Sequence, residues 1–140
     1  MNITTEQNKA IVARFNKEFI EQGNMESFKE LVADDLFNHA APAGMPTGPD
    51  GMIYFLRDVL KTGFPDLRVK ILDQIAEGDS VTSRKEFYAT HMGTFMGIPA
   101  SNKKVVIEVI EIIRLRDGKY VEHWGMSNLP DIIMEISSKQ

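Results

Sequence analysis

The chain of 140 residues contains no cysteine. Disulfides, thiolate metal sites and cysteine nucleophiles are therefore excluded, and the absence fits a reducing compartment. Positive charge is also in short supply. Sixteen Lys and Arg stand against 20 Asp and Glu, for a net charge of -4. Phosphate binding needs a basic footprint, so nucleic acid is not an expected partner. The Lys103-Lys104 pair reads as the solvated start of a strand. No apolar run is long enough to span a bilayer, and Met1 to Asn8 is polar rather than signal-like. No membrane partner is expected, and the cytoplasm is the expected location. GxSxG, a phosphate loop and GxGxxG are all missing, which leaves serine-nucleophile and nucleotide mechanisms without support. The three histidines, His39, His91 and His123, sit in separate segments without H-x-H or HExxH spacing. No metal and no cofactor is expected.

What is present is ordinary for a globular protein: 43% hydrophobic and 26% charged residues. The length fits one domain over residues 1–140, with no repeat or linker. Thr4 or Thr5 can cap a first helix, in which Ile11, Val12, Phe15, Phe19 and Ile20 form one apolar stripe before Gly23-Asn24. A second helix covers Met25 to Val32, and Asp34 to Ala41 reads as extended. The Pro/Gly-rich segment Ala41 to Gly51 has the length of a functional loop. A third helix starts near Pro49-Asp50, buries Ile53, Leu56 and Leu60, and stops at Gly63.

From Asp66 the period changes to two. Leu67, Val69 and Ile71 alternate, Glu77-Gly78-Asp79 turns, and Val81 to His91 forms a strand. In that strand Ser83, Lys85 and Phe87 face opposite to Thr82, Arg84, Glu86 and Tyr88. A loop over Met92 to Lys103 leads to a strand over Lys104 to Arg116. The Asp117-Gly118 turn returns Tyr120 to Asn128, and Leu129 to Ile136 reads as a short helix. Helices first and antiparallel strands after is an α+β order.

A regular two-residue hairpin at Asp117-Gly118 puts Glu111 on the face shared with Trp124, Met126 and Asn128, and His123 on the other. A bulge would exchange the faces. Glu108 and Glu111 cannot share a face of a regular strand. The inward one, beside apolar groups, would have a raised pKa suited to acid/base work. The opposing reading pairs that carboxylate with Arg114, Arg84 or Lys85 across the sheet. His39 and His91 adjoin Gly-rich loops, where functional groups tend to sit. His123 reads as a structural imidazole. The methionines, Met52, Met96 and Met126 among them, suit either an apolar pocket or plain core filling.

Several motifs occur in one order: FPDL at Phe64 to Leu67, EGD at Glu77 to Asp79, THMGTFMGIPAS at Thr90 to Ser101, and IIRLRDGKYVEHW at Ile112 to Trp124. This order resembles the SnoaL-like polyketide cyclase (ester cyclase) family of the nuclear-transport-factor-like superfamily, over about Ala10 to Ile136. The resemblance implies a cone-shaped barrel of a curved antiparallel sheet, with N-terminal helices packed on its concave face. It also implies an apolar pocket, no cofactor, and a homodimer packed through the sheet. His39, His91, Arg84 and Arg114 match recurrent positions of such proteins. The carboxylate that well-understood cyclases carry after the HW pair falls at Asn128 here. An amide cannot take up that proton, but it can donate a hydrogen bond to an enolate oxygen.

The expectation is a cofactor-independent cyclase/isomerase-type enzyme acting on a small apolar carbonyl compound. One of His39, His91 and Glu111 would move the proton and Asn128 would polarise an oxygen. Phe15, Met52, Phe55, Arg84, Met96, Trp124 and Met126 would line the pocket. The rival expectations are a non-catalytic binder with the same pocket, and a dimeric interaction module.

Overall fold

The structure is a computed structural model and describes residues 3–138. Thr4 caps helix α1 (Thr5–Arg14) in a reciprocal box: its hydroxyl accepts from Gln7 N, and its own N–H donates to the Gln7 side chain. The helix runs on through Phe15–Glu21 as a π-helix. Gly23, at φ +71, ends it, and the Asn24 side chain caps α2 (Met25–Leu31). Phe15, Phe19 and Phe28 pack as tilted rings, and Phe15 lies 4.4 Å from Tyr120 of the sheet. Each such ring contributes roughly 2–3 kcal/mol by burial. Helix α3 (Pro49–Ile53) has Pro in its first turn and continues as a π-helix over Tyr54–Leu60 and a last turn over Lys61–Gly63.

The strands are β1 (Val32–Asn38), β2 (Arg68–Glu77), β3 (Ser80–Thr90), β4 (Lys104–Arg116) and β5 (Lys119–Ser127). They form one sheet in the order β1-β5-β4-β3-β2. The β2–β3, β3–β4 and β4–β5 pairs are antiparallel, but β1 runs parallel to β5. The sheet is therefore mixed and open, not a closed antiparallel barrel. The expected extended segment at 34–41 is this added edge strand, shifted to Val32–Asn38. Helix α4 (Leu129–Ser137) buries Ile132 and Ile136.

Two bulges decide which side chains face the helices. In β2 the register shifts between Ile71 and Asp73, so Ala76 pairs with the buried Val81 while Ile75 is exposed. In β5, Tyr120 pairs with Leu115 but Glu122 already pairs with Arg114, which makes Val121 the extra residue. Beyond it, His123 faces Ile113, Gly125 faces Glu111 and Trp124 faces Ile112. The inner face thus carries Glu111 and His123, and the outer face carries Trp124 and Met126. The regular-hairpin expectation placed His123 outside and Trp124 inside. The bulge inverts both. In β3 the expected alternation holds, with Val81, Ser83, Lys85 and Phe87 buried.

Candidate functional site

Between the helices and the inner sheet face lies a cavity of about 290 Å³. The two π-helical stretches both border it, through Phe15 and Ile20 on one side and Phe55, Leu56 and Leu60 on the other. Ala40, Ala41, Pro42, Met45 and Pro46 of the Pro/Gly-rich loop also border it, with Met96 of the later loop. Gly51 lets α3 start close under that loop: a Cβ there would sit 2.2 Å from Pro46 O. Of the expected wall residues, Phe15, Met52, Phe55, Met96 and Met126 border the cavity, although Met126 is 83% exposed.

The walls are mostly apolar, and four of the polar residues that border them, Asn38, Lys85, Glu111 and His123, belong to one hydrogen-bonded chain. Asn16 Nδ2 donates to Val12 O at 2.8 Å, which anchors it in α1's π-helical continuation. Asn16 Oδ1 then accepts from Lys85 Nζ at 2.6 Å. Lys85 Nζ lies 2.8 Å from Glu111 Oε2. Glu111 Oε1 lies 3.0 Å from His123 Nε2, and His123 Nδ1 lies 2.7 Å from Asn38 Oδ1. Asn38 Oδ1 also accepts from Ala40 N at 3.0 Å, which fixes it as the acceptor. Both ring nitrogens of His123 thus face oxygen acceptors, and hydrogen bonding to both requires an N–H on each. The chain links the π-helical continuation of α1, β3, β4, β5 and the end of β1.

Burial opposes ionisation of the Glu111 carboxyl, but the Lys85 charge and the His123 hydrogen bond outweigh it. Together they hold its pKa down, at about 2. The expected upward shift is corrected: Glu111 is inward, as one reading had it, but also paired with Lys85, as the opposing reading had it. Removing either partner would strand a buried charge. Tyr120 borders the same cavity, and its hydroxyl is pushed well above its ordinary pKa by burial and then by the Glu111 charge.

The other expected site residues lie elsewhere. His39 is on the outer side, 2.9 Å from Glu122 through Nε2 and stacked on Trp124 at 4.6 Å. Glu122 also pairs with Arg114, and these two partners hold its carboxyl below the usual range. His91 is fully buried away from the cavity. Its Nδ1 accepts from Ser101 N at 3.1 Å and lies 2.9 Å from Ser101 Oγ, which ties together the ends of the 92–103 loop. Arg84 is exposed and paired with Asp73 at 2.6 Å. Trp124 does not border the cavity, because the Val121 bulge turns it out.

Asn128 is occupied with the backbone of β4. Its Oδ1 accepts from Glu108 N at 2.8 Å and its Nδ2 donates to Val106 O at 3.3 Å. The amide therefore acts as one more rung of the β4–β5 ladder, outside the inner cavity.

Sequence reasoning offers Lys85 only as one of three ion-pair partners for a glutamate, gives His123 as structural, and misses Asn16 and Asn38. Lys85 left a signal, being the one cation in the inward alternation of β3. The bulge that brings in His123 left none. No group of three or more His, Cys, Asp or Glu is placed to hold a metal ion among the described residues. No helix among them is long and apolar enough to cross a membrane.

The model of the SnoaL-like polyketide cyclase family matches residues 10–135. The fold is similar to that of a candidate SnoaL-like polyketide cyclase from Jannaschia sp. CCS1, with a TM-score of 0.87 and 24% identity over 100% of this chain and 99% of that one. IdmH, a candidate polyketide cyclase from Streptomyces antibioticus, is 26% identical with a TM-score of 0.82, over 94% of this chain and 99% of its own. A candidate polyketide cyclase from Bacillus cereus ATCC 10987 is 25% identical with a TM-score of 0.79, over 93% and 80% of the two chains. Comparison with curated proteins returns no match.

Proposed function

The chain belongs to the SnoaL-like polyketide cyclase family, and from that premise we propose a cofactor-independent, cyclase-type enzyme that moves a proton on a small apolar carbonyl compound. The observation that carries the reading is the Lys85–Glu111–His123 chain in the wall of an otherwise apolar cavity. Ring closure of the aldol type starts by removing a proton from the carbon beside a carbonyl. That step needs an acceptor for the proton and a donor for the developing oxyanion. In that step the Glu111 carboxylate takes the proton, and His123 is hydrogen-bonded to it. Asn38 and Lys85 hold the two ends of that pair. Asn128, whose amide is spent on β4, takes no part.

The test reads the proposed step directly. Apolar ketones are incubated in D2O, and exchange of the protons beside the carbonyl is followed by NMR. The folded wild type should accelerate exchange, and Glu111→Gln should cut that acceleration by about 100-fold or more. Asn128→Asp should restore no further activity, since a carboxylate there has lost the donor to Val106 O. Exchange that survives Glu111→Gln intact would sink the reading.

One observation favours a non-catalytic binder instead: a carboxyl held at about 2 is a weak base near neutral pH. Tight ligand binding without any proton exchange would select that reading. A second copy of the chain packed on the outer sheet face belongs to the proposal in either case.

A further inference from the structure

Four buried side-chain polar atoms lack a partner among the described residues: Asn8 Oδ1, Ser83 Oγ, His91 Nε2 and Tyr120 Oη. Only Tyr120 belongs to a residue that borders the cavity, and its hydroxyl is closed off from it. The donor with a hydrogen to spare beside the cavity is Lys85, a buried cavity-wall residue. Its ammonium has three N–H bonds. Glu111 takes one at 2.8 Å and Asn16 another at 2.6 Å. The remaining partner is soft: the Phe87 ring, with its centroid 5.2 Å from Nζ. Phe87 is itself a cavity-wall residue. The titratable groups bordering the cavity are Lys85, Glu111, Tyr120 and His123, and Glu111 is the single carboxylate among them.

We propose that Lys85 is the oxygen-binding residue of this cavity, and that the ligand class it selects is a small apolar skeleton carrying one anionic oxygen, such as an enolate or a carboxylate. The inference deepens the proposed function and rests on its cavity. An ammonium–oxyanion hydrogen bond is stronger than an N–H contact with an aromatic face, so a ligand oxygen displaces Phe87 as the third partner. The ammonium is set in place before the ligand arrives, by Asn16 and Glu111, and its orientation costs nothing at the moment of reaction. As negative charge develops on a carbonyl oxygen, Lys85 meets it. Glu111 competes for the same ammonium, so the carboxylate that holds Lys85 in position also weakens its grip on an anion.

The test compares 2-naphthoate with 2-naphthamide, a neutral probe of nearly the same shape, by calorimetry on the full chain. Wild type should prefer the naphthoate about 3-fold. Glu111→Gln removes the competing carboxylate and should raise the preference to about 10-fold or more. The double variant Lys85→Met with Glu111→Gln removes both members of the buried Lys85–Glu111 pair and leaves His123 free to give up its extra proton, so it should fold, and it should bind the two probes alike. Equal binding of the probes by wild type and Glu111→Gln would overturn the role of Lys85 and leave the cavity standing. So would a preference that persists in the double variant. Failure of every variant to bind either probe would overturn the inference and the proposed function together.

Discussion

Glu111 is the residue at which the electrostatics of the fold concentrate. Its carboxyl is buried, and Lys85 and His123 hold its pKa at about 2, below an unfolded value of about 4.3. A depressed folded pKa contributes stability that is fully present above the unfolded pKa. The contribution is lost as pH falls from about 4.3 towards 2, because protonation then costs less in the unfolded chain than in the folded one. The size is roughly 3 kcal/mol. Urea midpoints measured from pH 7 down to pH 3 should therefore drop in wild type, steepening below about pH 4.5. Glu111→Gln should show a shallower acid limb, since it has no carboxyl to protonate at that site. Parallel acid limbs for the two proteins would mean that Glu111 is not held ionised by its neighbours.

At the scale of elements, the Val121 bulge in β5 is the feature that builds the site. One extra residue turns His123 inward to meet Glu111 and sends Trp124 outward to stack on His39. Gly125, directly across from Glu111, completes the geometry. A Cβ at Gly125 would lie 3.2 Å from His123 Cε1 and 3.3 Å from Nε2. Gly125→Ala should therefore displace the imidazole by a few tenths of an ångström and disturb its contact with Glu111, while β5 still pairs. The expected outcome is a shift of the His123 ring signals in NMR spectra and a clear loss of ketone proton exchange, with stability reduced by about 1 kcal/mol or less. Unchanged ring signals would show that the imidazole has room to spare.

The same bulge marks how far the sequence could be read. Helix boundaries, the Asp117-Gly118 turn and the alternation in β3 follow from local chemistry: caps, a dipeptide with positive φ, and period-two burial. They could be written down without coordinates. Which way β5 faces beyond Tyr120 depends on an insertion that alternation alone does not reveal, because Val121 is apolar and buried like Tyr120 just before it. A regular hairpin consequently exchanges His123 and Trp124, and makes the imidazole that belongs to the site look structural. The parallel pairing of β1 was hidden for a different reason. It depends on a long-range partner, and the segment carries two acidic residues, Asp34 and Asp35, both exposed on the strand.

For the whole molecule, the same register that fills the cavity wall with polar groups leaves apolar ones on the outer face. Ile112, Trp124, Ile110 and Met126 lie side by side across β4 and β5, and Ile110 is 56% exposed. Tyr88 and Val106 lie farther along the same face, beyond the charged Glu86–Glu108 rung. Charged pairs flank it, Arg84 with Asp73 and Arg114 with Glu122. A contiguous apolar patch with a charged rim has the composition of an interface rather than of a free surface. The proposed second copy would fit it by symmetry, since a two-fold arrangement sets the apolar row of one sheet against the same row of its partner. Wild type should then sediment at twice the chain mass at micromolar concentration. Ile110→Glu should release monomers, because two carboxylates would be buried against each other across the axis. The inner cavity lies on the opposite face of the sheet, so the monomeric variant should still bind 2-naphthoate. A wild type that sediments as a monomer throughout that range would leave the outer face without its partner and confine the function to a single chain.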